Sequence, residues 1–250
     1  MKGLAGKVAL VSGAGGPMGF AIAERLAAEG MRLVLTDISG NRLEAARQAL
    51  AGSAAVAALR ADATRREEAL AVAALGAQTF GAIDVLVNVV GGIRSAQLYT
   101  PFLEMSEAQW DATLALNLKP GFHLVQAVAP GMIARRWGRI VNFASIVLGG
   151  EGGQADYAAA KAAVAAFTRS LAEEFAPHVN VNCVAPGLIQ TTVTDRLSAA
   201  DRDELTGRSF HRRAGQPGEV ASTVAFLASD EASFLTGEVL AVSGGHHPHL

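Results

Sequence analysis

The stretch Val8-Ala9-Leu10-Val11-Ser12-Gly13-Ala14-Gly15-Gly16-Pro17-Met18-Gly19 carries the first decision about the fold. Apolar residues of strand type run into a turn with four glycines, and 19–29 then sets Ala, Ile and Leu at helical spacing. A strand that passes through a glycine-rich turn into a helix is the context a dinucleotide site requires. Glycine lets the backbone come close to a pyrophosphate, which then sits at the positive end of the helix. A tight corner that binds nothing has the same outward form, so the turn alone does not decide function.

Working outward, short apolar runs recur at 33–35, 85–87, 140–143, 179–184 and 239–242. They are continuous rather than alternating, which suits parallel strands covered on both faces. Helical patterns lie between them, at 41–50, 65–75, 106–118, 157–175 and 218–229, with Ser106 placed to cap the third. Strand and helix alternate along the whole chain, no Pro/Gly/Ser linker divides it, and no repeat appears. The expectation is one α/β domain over 1–250, a Rossmann-type doubly wound parallel sheet with helices on both faces.

Composition narrows the function classes. The chain has 250 residues, half of them hydrophobic, which is enough for a sizeable core and excludes disorder as a class. Lys plus Arg is 21 against 23 for Asp plus Glu, and no basic tract stands out, so no nucleic-acid partner is expected. The single cysteine, Cys183, excludes a disulfide framework or a cysteine zinc site within one chain, and its apolar run marks it as core. The longest uncharged run, 175–194, holds two prolines, two asparagines and a histidine, so no membrane segment is expected. The apolar run at 8–11 is too short for a signal-peptide core, and a cytoplasmic protein is the expectation. His246, His247 and His249 fall at the C-terminus and read as a loose tail rather than a metal site.

Asp37 follows the second apolar run, 18 residues beyond Gly19. A carboxylate there can accept both hydroxyls of an adenosine ribose and would repel a 2′-phosphate, which points to NAD rather than NADP. Asp62 closes the third strand and by itself is only a turn aspartate. Tyr157 and Lys161 are four apart at the start of a helix and share a face. A phenol near pKa ~10 is a poor base at neutral pH, and a neighbouring ammonium would favour the phenolate. A Tyr…Lys pair at this spacing can serve as a general acid/base, although the bare pair is common by chance. Ser145 stands 12 residues before Tyr157, just after the run 140–143, at the carboxyl edge where α/β sheets bind ligands.

With Asn117 and Pro186-Gly187-Leu188-Ile189-Gln190-Thr191, these residues make the chain resemble the short-chain dehydrogenase/reductase superfamily from about Gly6 to Gly245. The segments Gly153-Gln154-Ala155-Asp156-Tyr157-Ala158-Ala159-Ala160-Lys161 and Leu235-Thr236-Gly237-Glu238-Val239-Leu240-Ala241-Val242-Ser243-Gly244-Gly245 look most like its 3-oxoacyl-[acyl-carrier-protein] reductase-like members. The resemblance implies a hydride transfer between a nicotinamide and a carbonyl/alcohol substrate. It gives Tyr157 the proton exchange and Lys161 the nicotinamide ribose, with a depressed Tyr157 pKa. Ser145 polarises the carbonyl, and Asn117, taken to end its helix, holds a water. Gly13, Gly16, Met18 and Gly19 cradle the phosphates. Asp62 meets the adenine and Asn88 the neighbourhood of the adenosine. Pro186, Gly187, Ile189 and Thr191 surround the nicotinamide amide and phosphate. It also implies a homotetramer, with the alanines of 157–175 packed against another subunit.

Two departures stand out. Pro17 replaces the middle glycine of the family's Thr-Gly-x-x-x-Gly-x-Gly, which leaves the amides of Gly16 and Met18 as phosphate donors. Asn88-Val89-Val90-Gly91 stands for Asn-Asn-Ala-Gly, and the loop from Gly91 to Met105, with Arg94 and Tyr99, is longer than usual. The region 190–213, polar and irregular, is expected to form a substrate lid. An NAD-dependent oxidoreductase is the leading expectation, with an NADP-dependent 3-oxoacyl-thioester reductase and a non-catalytic nucleotide-binding regulator as alternatives.

Overall fold

A computed structural model of the chain describes residues 1–93, 97–192, 194 and 197–246; Arg94, His247 and His249 lie outside them. The described residues form seven strands and seven helices, alternating except that two helices separate the last two strands. The strands are β1 (Val8–Ser12), β2 (Arg32–Asp37), β3 (Val56–Arg60), β4 (Val85–Asn88), β5 (Gly138–Phe143), β6 (Val179–Pro186) and β7 (Val239–Val242). They form one sheet in the order β3-β2-β1-β4-β5-β6-β7. Every pairing is parallel, as the continuous apolar runs predict.

The helices are α1 (Pro17–Ala28), α2 (Gly40–Leu50), α3 (Arg66–Phe80), α4 (Glu107–Ala134), α5 (Ala155–Glu174), α6 (Ala199–Gly207) and α7 (Pro217–Ala228). Successive residues of a strand point to opposite faces, and the core divides accordingly. Ala9, Val11, Leu33, Leu35, Val85 and Val87 pack with α1, α2 and α7. Their neighbours Val8, Leu10, Val34 and Leu86 pack with α3, α4 and α5. Leu10 and Leu86 have no exposed surface, and truncating either to alanine should cost about 2–5 kcal/mol.

Two expected boundaries move. Asn117 does not end its helix: α4 runs on to Ala134 through Pro120 and Pro130. Each proline removes one helical hydrogen bond, but Leu124, Val125 and Val128 bury against the sheet and carry the helix past them. Ser106 is the cap, accepting the Gln109 amide at 3.2 Å. The third strand ends at Arg60, so Asp62 lies two residues beyond it.

The order reverses between β1 and β4, which leave the sheet toward α1 and toward the segment before α4. A crevice opens at such a switch point, outside the carboxyl ends of the strands. The residues named from sequence gather along that edge.

Candidate active site

The glycine turn after β1 is built for close approach. Gly13 has a φ of +68°, a left-handed conformation that favours glycine. A Cβ on Gly19 would overlap the Gly13 carbonyl oxygen, and one on Gly15 would lie 2.7 Å from the Arg42 Cβ. Pro17 is the first residue of α1, where its missing N–H costs least. Helix geometry leaves the amides of Met18 and Gly19 without intrahelical acceptors, and the first turn holds no acidic residue. The Gly16 amide is not available in the same way: it donates to the Gly13 carbonyl at 3.1 Å. Of the amides expected to face a phosphate, that of Gly16 is engaged and those of Met18 and Gly19 are left open.

Asp37 closes one end of the groove that follows. Its side chain is 7 % exposed and stands 3.6 Å from the Arg42 guanidinium. Its Oδ2 accepts the Gly15 amide at 3.0 Å and its Oδ1 the Ser39 amide at 2.8 Å. The groove has a volume of about 430 Å³ and runs from Asp37, Arg42 and Asp62 past Met18 to Thr191. Asp62 accepts both the amide and the hydroxyl of Thr64, at 2.9 and 2.6 Å. Ser12 shapes the floor by accepting the amides of Val89 and Val90, at 3.1 and 3.4 Å.

Asn88 does not face this groove. As the last residue of β4 it points to the same side as Leu86, and its Nδ2 donates to Asn142 Oδ1 at 2.8 Å across the β4–β5 ladder. Val89 and Val90, just beyond the strand end, line the groove instead. Ile189 is likewise buried in the core against α7, and its backbone bridges to Gly215. Gly187 and Thr191 do reach the cleft, and the Gly187 amide, just past Pro186, is held by the Val242 carbonyl at 3.0 Å.

The groove joins a second cavity of about 500 Å³ lined by Ser145 and Tyr157. Asp156, 3 % exposed, seats the start of α5: it accepts the Thr113 hydroxyl of α4 at 2.7 Å and the Tyr157 amide at 2.8 Å. Lys161, one turn on, donates from Nζ to the Phe143 carbonyl at 2.8 Å and lies 5.5 Å from the centre of the Tyr157 ring. Asn117 clamps Gly92, accepting its amide and donating to its carbonyl, both at 2.9 Å. A Cβ on Gly91 would lie 2.6 Å from Asn117 Oδ1 and 2.9 Å from Lys161 Nζ. The loop, Asn117 and Lys161 therefore interlock.

The electrostatics differ from expectation in one respect. Burial pushes the Tyr157 phenol up to about 12, and the hydrogen bond with Ser145 pulls it partly back. Lys161 does not bring it below the ordinary value, because burial pushes Lys161 itself down to about 8. Desolvation outweighs the Tyr–Lys attraction in this pocket. Cys183 is core, as its apolar run implies.

Residues that the motifs did not single out complete the site. Gly15 and Arg42 frame Asp37, Gly91 spaces Asn117 from Lys161, and Asp156 orients Tyr157. His246 is a further correction. It is 8 % exposed and lines the reactive cavity, not a loose tail.

A carbonyl placed against Ser145 and Tyr157 would meet a hydroxyl and a protonated phenol, next to a groove whose glycine cradle, open amides and buried carboxylate have the chemistry to fit a dinucleotide. Comparison with known proteins agrees. A family model described as Enoyl-(Acyl carrier protein) reductase matches residues 13–247. The chain is 43 % identical to the 3-oxoacyl-[acyl-carrier-protein] reductase of Vibrio cholerae, over 97 % of this chain and 98 % of that one. It is 41 % identical to the short-chain reductase NovJ of Streptomyces niveus, over 95 % and 93 %. Among solved structures, a glucose/ribitol-type short-chain dehydrogenase/reductase from Brucella melitensis superposes with a TM-score of 0.90 at 37 % identity, covering all of both chains. An NAD+-bound xylitol dehydrogenase superposes with a TM-score of 0.91 at 31 % identity, covering 98 % and 100 %. The chain belongs to the short-chain dehydrogenase/reductase family of oxidoreductases.

Proposed function

We propose that the protein interconverts a secondary alcohol and a ketone with NAD(H), using Tyr157 as the general acid/base. The observation that carries this reading is that Ser145 and Tyr157 line a cavity beside a groove ending at Asp37, with the Lys161 ammonium 5.5 Å from the centre of the Tyr157 ring. The nicotinamide supplies or accepts the hydride. Every other task falls to the chain's own residues. Met18 and Gly19 bind the pyrophosphate through their amides. Asp37 takes the adenosine ribose, and Asp62 borders the adenine end of the groove.

Ser145 and Tyr157 both direct a hydroxyl at the substrate oxygen. With its phenol pushed up to about 12, Tyr157 is protonated at neutral pH and stands ready to donate to a forming alkoxide. Lys161 holds a positive charge next to that transfer up to about pH 8. It also places an ammonium where the nicotinamide ribose would lie, and Asn117 fixes the loop that borders both. The segment 190–213 acts as a lid: its ends are tied where Gln190 donates to the Gly215 carbonyl and Gly215 to the Leu188 carbonyl, each at 2.8 Å. A cytoplasmic location fits the single buried thiol.

A second reading, an NADP(H)-dependent 3-oxoacyl-thioester reductase, draws on Arg42. This exposed guanidinium lies at the mouth of the groove and could meet a 2′-phosphate. The likeness to the Vibrio cholerae enzyme supports it too. A screen of ketones, secondary alcohols and a 3-oxoacyl thioester, followed by nicotinamide absorbance with each cofactor, separates the two. Tight dinucleotide binding with no turnover of any member would favour a regulator instead.

A further inference from the structure

His246 is a buried titratable side chain that the reaction above does not use. The chain goes to some length to place it. After β7, Gly244 and Gly245 both take left-handed conformations, with φ of +63° and +87°. A Cβ on Gly244 would lie 2.5 Å from the Ser209 hydroxyl, and one on Gly245 would overlap the Phe210 ring. Side chains are excluded at both positions, so the strand end can turn inward beneath the segment that follows α6. Ser209 Oγ donates to the Gly244 carbonyl at 3.0 Å and locks the turn to that segment. The turn ends with the imidazole in the wall of the cavity that holds Ser145 and Tyr157.

We infer that His246 recognises a second oxygen function on the substrate, so that the preferred substrate is an uncharged hydroxyketone or diol rather than a simple ketone or a carrier-linked thioester. The inference rests on the oxidoreductase reading above. Ser145 and Tyr157 already claim the reacting oxygen, so a hydrogen bond from His246 must go to another substrate atom. An imidazole offers one donor and one acceptor nitrogen and suits a hydroxyl or a carbonyl equally.

Charge narrows the class further. Among the described residues, Arg208 is the one Lys or Arg lining the cavity, and two carboxylates already hold it, Glu151 at 3.0 Å and Glu204 at 2.8 Å. Asp201 lines the same cavity. Among the described residues, an anionic substrate, or one delivered on a phosphate-bearing arm, would meet net negative charge with no uncommitted guanidinium to offset it.

The test uses matched pairs on one carbon skeleton: butan-2-one with 3-hydroxybutan-2-one, and cyclohexanone with 2-hydroxycyclohexanone, with acetoacetyl-coenzyme A as a third arm. Wild type should favour the hydroxylated member of a pair by tenfold or more in kcat/KM, the effect of one buried hydrogen bond. His246→Ala should bring that ratio to within about threefold, and His246→Gln should restore part of it. NADH fluorescence titration and a melting curve show that the variants are folded with an intact groove. A wild type without the hydroxyl preference, a variant that loses equally on both members, or acetoacetyl-coenzyme A as the best substrate overturns the inference while leaving the oxidoreductase reading in place. Intact NADH binding with no turnover in any arm overturns both.

Discussion

Lys161 donates from Nζ to the Phe143 carbonyl at 2.8 Å, so the charged end of α5 is tied to the last residue of β5. This bond sets the height of the ammonium over the sheet edge and, one turn earlier on the same helix face, the position of Tyr157. Helix and strand thus hold the two groups in register without a flexible loop between them, the arrangement a proton-transfer site needs.

Removing the phenol hydroxyl isolates the proton transfer. Tyr157→Phe keeps the ring and its packing. Turnover should fall by about 10²–10⁴, the usual loss for a general acid/base, while NADH affinity changes less than threefold. Steady-state rates and a fluorescence titration give both numbers, and near-normal turnover would reject Tyr157 as the acid/base.

Lys161 carries a signature in stability as well as in rate. Burial lowers its folded pKa from 10.5 to about 8. Between those pH values the unfolded chain holds a proton that the folded chain has released, so folding becomes more favourable as pH rises. Below about pH 8 both states are charged, and the folded state bears the whole desolvation penalty, on the order of 3 kcal/mol from a shift of about that size. Lys161→Met removes the ionisation. Its melting temperature relative to wild type should be most favourable at pH 7 and should lose that advantage by pH 10, while turnover is lost at both. A pH-independent difference would mean that the ammonium is better solvated than its burial implies.

Gly91→Ala probes the interlock. The new methyl would press on Asn117 Oδ1 and Lys161 Nζ, both the far ends of side chains rather than backbone, so the fold can yield without breaking. Displacement of catalytic groups by a fraction of an ångström to about 1 Å costs up to roughly 10²-fold in rate. We expect kcat to fall tenfold or more with a melting point within a few degrees of wild type. Full activity would show that the loop has slack here.

The sheet, its parallel sense and the reactive side chains were legible because they rest on local signals: continuous apolar runs, glycines at a strand end, and two polar residues one helical turn apart. What was not legible depended on tertiary contacts. α4 overrides two prolines because its far half is buried, which no propensity at 118–130 reveals. Asn88 turned away from the groove because a strand register decides which face an odd or even residue takes. The Gly16 amide went to Gly13, and the rise of the Tyr157 pKa came from burial. His246 reads as tail in the sequence because only tertiary contacts such as that of Gly244 with Ser209 show that the segment after β7 turns inward as far as His246.

Assembly can be tested directly. Ala158 and Ala160 are buried within the chain, whereas Ala166 is exposed and Ala162, Ala163 and Ala165 are half-buried on the outer side of α5. A stripe of small residues allows a second helix to approach closely. Sedimentation at micromolar concentration should give a tetramer, and Ala166→Glu should shift it toward smaller species; a monomeric wild type refutes the packing.

Cofactor choice turns on Asp37 and Arg42, which face one another at 3.6 Å with opposite freedom. The carboxylate is 7 % exposed and pinned by the amides of Gly15 and Ser39, so it cannot swing away from an incoming ribose. The guanidinium is 60 % exposed and can move. For NADH, Asp37 offers an acceptor to the ribose hydroxyls. For NADPH, the same fixed charge opposes the 2′-phosphate in a partly desolvated groove, and Arg42 is already partly neutralised by Asp37. NADH should therefore bind about tenfold tighter, roughly 1.4 kcal/mol. Asp37→Ser should weaken NADH and bring the two cofactors close to parity, because it removes both the ribose acceptor and the repulsion. Arg42→Ala should leave NADH within about threefold while weakening NADPH further. Paired titrations of the three proteins with both cofactors decide the matter. Tighter NADPH binding by wild type, lost in Arg42→Ala, would show that the mobile cation outweighs the fixed anion and would transfer the argument to the NADP-dependent reading.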